Sequence, residues 1–146
     1  MDSSYPFPPD RGYDREHHMW ARLDDATGRV LVGIDALGLA SLGELAYITL
    51  HGEGTNVRRG DSIGTLEAAK MTGDFLAPVS GVLVARNASA LSNPHTVNED
   101  PYESGWLVAI NPLDWEGELA QLVSGDELPA FVEAEIQRYR AEGWID

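Results

Sequence analysis

The sequence lacks cysteine, contains a single lysine, and has no long apolar run among its 146 residues. The absence of cysteine excludes a disulfide-stabilised fold, a thiol nucleophile and a zinc site built on thiolates. No stretch approaches the roughly 18 to 20 apolar residues that a membrane-spanning helix needs, and no basic and then apolar segment opens the chain. We therefore expect a cytoplasmic protein that does not interact with membranes, of a length that suits one domain.

Positive charge is also scarce, with 10 Lys and Arg residues against 24 Asp and Glu residues, for a net charge of −14. Such a charge repels phosphate backbones, so we expect no nucleic-acid partner. A solvated surface, adaptation to a salt-rich host, or a surface for basic partners would each account for the acidity. The four histidines lack the paired spacing of a zinc motif, so we expect no metal site.

Short extended runs separated by turn residues predict a mainly β fold, a barrel or sandwich. A first hairpin is predicted over residues 19–32, with residues 24–28 as its turn. The other predicted strands are residues 44–50, 62–67, 73–77, 82–86 and 105–110. A helical turn is predicted at residues 88–91, within a segment that otherwise reads as loop up to residue 101.

Three parts follow one another along the chain. We expect residues 1–14 to form an irregular, proline-rich arm and residues 15–126 to form the β domain. Residues 127–146 are expected to form a helix that packs on the same domain.

Capping residues mark two helices within these parts. Asp35 is expected to cap a short helix over residues 36–42, which Gly43 ends. Asp126 is expected to cap the C-terminal helix, with Pro129 in its first turn and Gly143 as its stop. The apolar residues of this helix recur at helical spacing, and they are Leu128, Phe131, Val132, Ile136 and Tyr139.

Lys70 lies between two predicted strands in T-L-E-A-A-K-M-T-G-D-F-L, residues 65–76, which places it near the tip of a β-hairpin. Its neighbours Ala68 and Ala69 are small, so an enzyme can reach the amine. A lysine amine can lose a proton and be acylated, whereas the arginines that fill the other nine basic positions stay charged. Lys70 is therefore either a site of covalent modification or a chance survivor in an arginine-biased genome.

An ordered set of motifs surrounds Lys70. The motifs are V-G-I-D (32–35), L-G-E-L-A-Y-I-T-L (42–50), G-E-G-T-N-V-R-R-G-D (52–61), L-E-A-A-K (66–70), A-P-V-S-G (77–81) and V-N-E-D-P-Y-E-S-G-W-L (97–107). This set, which covers about residues 13–112, resembles the lipoyl/biotinyl carrier family, and within it the H proteins of the glycine cleavage system.

The resemblance implies a flattened β-barrel or sandwich in which a lysine at a hairpin tip carries a lipoyl group in amide linkage. Residues 15–126 are then the lipoyl-carrier domain and Lys70 the lipoylation site. By the same resemblance, the attaching ligase reads Glu67, and Gly81 shapes the adjoining turn.

A protein of this kind is a carrier and not an enzyme. Its lipoyl-lysine acts as a swinging arm, because tethering raises the effective concentration of the arm at partner sites. Covalent lipoate would also bring dithiol chemistry to a chain that has no cysteine. The resemblance also implies a lipoate ligase or lipoyl-transfer enzyme as the partner that modifies the chain.

Two segments depart from the H-protein pattern. R-E-H-H-M-W (15–20) has an extra residue against the usual H-E-W, and the chain after N-P-L-D-W-E-G-E (111–118) ends in G-W-I-D. These departures favour a specialised H-like carrier of sulfur oxidation, with a heterodisulfide-reductase-like complex as its partner. The alternative is a genuine glycine cleavage H protein, which carries aminomethyl groups between the enzymes of that system.

A biotin carrier is a further alternative. The motif E-A-A-K-M (67–71) resembles the biotin-carrier motif because Met71 follows the lysine, but Ala69 stands where the biotin motif has its first methionine.

Overall fold

The computed structural model describes residues 5–146, so the first four residues of the predicted N-terminal arm lie outside the described part. Nine strands in this part form two antiparallel sheets, one of six strands and one of three. The mainly β sandwich with short helices and a C-terminal helix is thus confirmed. The strands are β1 (Gly12–Tyr13), β2 (Met19–Asp24), β3 (Arg29–Ile34), β4 (Leu45–Leu50), β5 (Asn56–Val57), β6 (Ser62–Ala68), β7 (Thr72–Leu76), β8 (Gly81–Arg86) and β9 (Val108–Pro112). The helices are α1 (Ala36–Leu42), α2 (Ala88–Ser92), α3 (His95–Glu99), α4 (Trp115–Leu119) and α5 (Leu128–Ala141).

The six-stranded sheet has the order β1-β2-β3-β9-β8-β5. Its first hairpin joins β2 to β3 as predicted, and the N–H of Gly28 closes the turn by donating to the Asp24 carbonyl over 2.8 Å. The segment predicted as an irregular arm contributes the short strand β1, in which Tyr13 pairs with Trp20. The sheet therefore begins inside that arm.

The three-stranded sheet has the order β4-β6-β7 and carries the hairpin between β6 and β7. Residues directly opposite each other on adjacent strands point to the same face. Ile48 and Leu66 face the core in this way, and Phe75 is also buried. The opposite face is exposed and carries two rows of side chains that run across the three strands. One row consists of Tyr47, Glu67 and Thr72, and the other consists of Thr49, Thr65 and Asp74.

Asp35 caps α1 as predicted. Its carboxylate accepts a hydrogen bond from the N–H of Gly38 over 2.9 Å, which satisfies a donor that the helix leaves without a partner. Gly43 ends the helix with φ +80°, a conformation that glycine adopts without steric cost.

Two sequence predictions are wrong in detail. Asp126 does not cap α5, because residues 125–127 form a 3-10 turn and the helix then begins at Leu128 without a side-chain cap. The last strand begins at Val108 and not at residue 105, because the N–H of Gly105 closes a tight turn on the Asp100 carbonyl over 2.7 Å. Elements β5, α3 and α4 are short and were not predicted.

The main core lies between the sheets, where side chains such as Val32, Ile63 and Ile110 are fully buried. The C-terminal segment packs on the same body through a separate apolar cluster of Leu37, Ile136, Tyr139 and Ile145. In the described part of the chain, every helix is too short or too polar to span a bilayer.

Candidate functional site

Lys70 is exposed at the tip of the β6–β7 hairpin, where the sequence places it. The N–H of Ala68 donates to the carbonyl of Met71 over 2.9 Å, so Ala69 and Lys70 form a two-residue loop. Ala69 is exposed and small, and Ala68 is half-buried. The amine is therefore accessible to an enzyme that approaches the tip.

Backbone hydrogen bonds hold this tip against the connection between α1 and β4. The N–H of Ala69 donates to the Glu44 carbonyl over 2.9 Å, and the N–H of Lys70 donates to the Leu42 carbonyl over 3.0 Å. Gly43 lies between the two acceptors, and a Cβ there would lie 3.3 Å from the Ala69 Cβ. Because glycine has no Cβ, the loop and the connection can approach closely.

The side chain of Lys70 lies along the end of α1. Its Nζ donates to the Ala40 carbonyl over 3.1 Å. An ammonium group is favoured at a helix C-terminus, where the last carbonyls lack intrahelical donors. The unmodified lysine thus has a defined resting place on the protein.

The other two residues expected at the site lie in different sheets. Glu67 is exposed on β6, directly opposite Tyr47 on one side and Thr72 on the other. Gly81 is the first residue of β8, where a Cβ would lie only 2.1 Å from the Asn111 carbonyl oxygen on β9. Glu67 is thus near the lysine in the hairpin, whereas Gly81 permits the close approach of β8 and β9.

A cavity of about 390 Å³ lies beside the hairpin. Met71 and Gly73 line it from the hairpin, Gly38 from α1, and Tyr139 and Trp144 from the C-terminal segment. Sequence reasoning missed this cavity because its walls come from segments that are far apart in the chain. The lining is mainly apolar.

A buried hydrogen-bond network adjoins the cavity. The Nδ1 of His18 lies 2.7 Å from a carboxylate oxygen of Asp35, and its Nε2 lies 2.8 Å from one of Glu135 on α5. Arg138 donates two further hydrogen bonds to the Glu135 carboxylate, over 2.7 and 2.8 Å. His18 therefore links the N-cap of α1 to the C-terminal helix.

The surroundings of these three groups shift their proton affinities. Burial disfavours the charged form of His18, but the hydrogen bonds and charges of Asp35 and Glu135 outweigh it, so the pKa of His18 is raised. Burial raises the pKa of Asp35, against the opposing effect of His18. The Arg138 hydrogen bond lowers the pKa of the Glu135 carboxyl.

The remaining histidines lie apart from this network. His95 contacts the carboxylates of Glu44 and Glu99, His17 contacts Asp14, and His51 is exposed. Both ring nitrogens of His18 are occupied by carboxylate oxygens. The network does not follow from the sequence, because His18 and Glu135 are separated by 117 positions.

Comparison with known proteins gives a consistent result. The family model described as glycine cleavage H-protein matches residues 11–135. The glycine cleavage system H protein of Carboxydothermus hydrogenoformans is 38% identical over 128 residues, which is 88% of this chain and 95% of that protein. The protein of the same name from Anaeromyxobacter sp. (strain K) is 37% identical over 126 residues, 86% of this chain and 95% of the relative.

A solved structure is similar over the same extent. The crystal structure of a glycine cleavage system H protein from Mycobacterium marinum superimposes with a TM-score of 0.72 at 30% identity, and the match covers 88% of this chain and 98% of that one. The two proteins are thus similar in both sequence and fold over most of their length. The chain belongs to the glycine cleavage H-protein family.

Proposed function

We propose that this protein is the H protein of a glycine cleavage system and that it carries lipoate in amide linkage to Lys70. The observation that carries the proposal is the position of the only lysine, at the exposed tip of a hairpin in a chain of this family. The protein is a carrier subunit and not a catalyst.

The residues around Lys70 fit a lipoyl group. The amine is exposed, and the small side chains of Ala68 and Ala69 leave room for the group. The mainly apolar cavity beside Met71 can shelter part of an aliphatic chain from water. When bound, lipoate supplies the two sulfur atoms for redox and transfer chemistry.

The polypeptide holds the lipoyl group at a fixed point and presents it to partner proteins. Lys70 supplies the amide nitrogen, and the backbone hydrogen bonds of Ala69 and Lys70 fix the attachment point against α1. A fixed attachment point with a long flexible side chain keeps the reactive end at a high effective concentration near any docked partner.

Glycine cleavage is better supported as the pathway than sulfur oxidation. The relatives described above all bear the glycine cleavage name, and they match most of this chain. The departures at residues 15–20 and in the C-terminal segment gave the sulfur-oxidation hypothesis its basis, and the comparisons add no support to it. We therefore propose the enzymes of glycine cleavage, with a lipoate ligase or lipoyl-transfer enzyme, as the partners, and a cytoplasmic location stays a prediction.

The attachment site is tested by mass spectrometry after incubation with a lipoate ligase, ATP and lipoate. We expect the wild-type protein to gain the mass of one lipoyl group, located on Lys70 by peptide mapping. The variant Lys70→Arg keeps the positive charge but cannot be acylated at this position. An unmodified Lys70 in the wild-type protein, beside a control carrier that the same ligase modifies, would contradict the proposal.

The pathway is tested by reconstitution. Lipoylated protein should support glycine-dependent release of CO₂ when it is combined with the other purified enzymes of a glycine cleavage system, and the Lys70→Arg variant should not. Activity only with a heterodisulfide-reductase-like complex would assign the protein to sulfur oxidation instead.

A further inference from the structure

We infer that the exposed face of the β4–β6–β7 sheet, centred on Tyr47, is the surface through which the lipoate-attaching enzyme recognises this chain. This outer sheet face consists of Tyr47, Thr49, Thr65, Glu67, Thr72 and Asp74. The inference rests on the proposed function, since it assumes that Lys70 is acylated. It adds the contact surface and the chemistry that a partner needs to bind there.

The two sides of the hairpin differ in what they offer a partner. The inner face of the hairpin packs on the core through Leu66 and Phe75, which are buried. The loop itself is held against α1 and its connection to β4 by the hydrogen bonds of Ala69 and Lys70. The tip also borders the cavity lined by Met71 and Gly73, and the broad exposed surface next to the tip is the outer sheet face, which an enzyme that surrounds the tip would contact.

Tyr47 is the aromatic residue of this face. Its side chain is 69% exposed although it lies in a strand, and the pairing of β4 with β6 places it directly opposite Glu67. Exposed aromatic side chains beside polar ones are typical anchors of protein interfaces, because they bury a large apolar area at little cost in side-chain entropy. The other exposed members of the face are threonines and acids.

The charge of the outer sheet face specifies the partner further. Glu67 and Asp74 are acidic, and none of the six side chains of the face is basic. The complementary surface therefore carries lysine or arginine side chains around an apolar recess for the Tyr47 ring. Charge complementarity of this kind speeds the encounter and weakens as salt increases.

The reaction at this surface is an acyl transfer. In the ligase, the lipoate carboxylate first attacks the α-phosphorus of ATP, which forms the acyl-adenylate and releases pyrophosphate with the electron pair of the broken P–O bond. The neutral Nζ of Lys70, released from the Ala40 carbonyl, then attacks the carbonyl carbon. A C–N bond forms, AMP leaves with the electron pair of the broken C–O bond, and the nitrogen loses one proton.

The test compares ligase kinetics of variants of the full chain. Tyr47→Thr removes the ring but keeps a residue that favours strands, and Tyr47→Phe keeps the ring. Leu113→Ala is the matched control, because Leu113 is 77% exposed but lies outside the hairpin sheet. Circular dichroism melts confirm that each variant is folded at the assay temperature.

We expect Tyr47→Thr to lower kcat/KM for the carrier about tenfold or more, mainly through KM. Tyr47→Phe and Leu113→Ala should stay within about twofold of the wild type. Raising NaCl from about 0.05 to about 0.5 M should lower the wild-type value, and by less in Glu67→Gln.

The outcomes separate this inference from the proposed function. If wild-type Lys70 is never acylated, the proposed function itself fails. If the wild type is acylated and Tyr47→Thr is acylated equally well, only the inference is overturned. Normal acylation of Tyr47→Thr, followed by failure in the reconstituted cleavage system, would assign the outer sheet face to a later partner and would also overturn the inference.

Discussion

At the scale of single residues, the surroundings of His18 constrain both its ring and its backbone. Its side chain is only 1% exposed, both ring nitrogens contact carboxylates, and its backbone has φ +56°. The rings of Phe131 and Tyr139 enclose the imidazole. The carboxylates of Asp35 and Glu135 favour the protonated form of His18, whose pKa is raised, and Arg138 is a further cation on Glu135.

This arrangement makes folding stability depend on pH. Because the pKa of His18 is raised in the folded state, the folded protein binds more protons than the unfolded one just above the ordinary histidine pKa of about 6.5. The stabilisation is complete below that pKa and is lost as the pH rises through the raised one. We expect His18→Gln to lower the free energy of unfolding by about 3 kcal/mol at about pH 6, and the difference from wild type to shrink towards about pH 9.

Urea unfolding followed by circular dichroism measures this difference. His51→Gln is the control, because His51 is exposed and should leave the free energy of unfolding unchanged within about 0.5 kcal/mol at each pH. A difference between wild type and His18→Gln that grows as the pH rises would show that His18 is neutral in the folded protein.

Sequence reasoning found Lys70 but not His18, and the reason is physical. Lys70 is distinguished by residue type, and its hairpin joins two strands that follow one another directly in the sequence. His18 acquires its role from Asp35 and from Glu135, which approach it only after the whole chain has folded. Asp35 was predicted as a cap from its position just before the helix, and its bond to Gly38 confirms that role, whereas its contact with His18 could not be predicted from the sequence.

At the scale of elements, α5 follows its predicted stripe. Leu128, Ile136 and Tyr139 are buried, and Gln137 is exposed. We expect Ile136→Ala to lower the free energy of unfolding by about 2 to 4 kcal/mol, because it leaves a cavity in the cluster with Leu37 and Ile145. Denaturant unfolding gives the value.

Gln137→Ala supplies the comparison on the same helix. This residue is exposed, and the change should alter stability by no more than about 0.5 kcal/mol. Equal effects of the two variants would mean that α5 contributes little to the folded core.

The elements that were missed are all short. Helices α3 and α4 have five residues each and strand β5 has two, too few for a hydrophobic period to emerge. The start of β9 was misplaced because the turn closed by Gly105 and Asp100 continues beyond residue 101, where the loop was predicted to end. Longer strands with alternating burial, such as β4, were located within one residue.

At the scale of the whole molecule, the net charge of −14 implies repulsion within the folded state. Salt screens such repulsion over about 10 Å at 0.1 M and over shorter distances at higher concentration. We expect the melting temperature to rise when NaCl is increased from about 0.05 to about 1 M, by about 4 °C for each kcal/mol of repulsion removed. Differential scanning calorimetry measures the shift.

The same salt series at about pH 4.5 is the control, because carboxylates begin to take up protons there and the repulsion falls. A smaller rise in melting temperature at about pH 4.5 than at neutral pH would show that salt acts by screening charge repulsion. A melting temperature that does not rise with salt at neutral pH would contradict both the repulsion and the adaptation to a salt-rich host.

The fixed position of the hairpin tip has a kinetic consequence. Because the backbone of Ala69 and Lys70 is bonded to the α1–β4 connection, the tip cannot swing out as a loop to reach a distant enzyme. We therefore expect the partners proposed above to dock near the same small region and to compete for it. Under such competition an excess of one enzyme would occupy the carrier and slow the cycle, and the fastest flux would require that each complex dissociate readily.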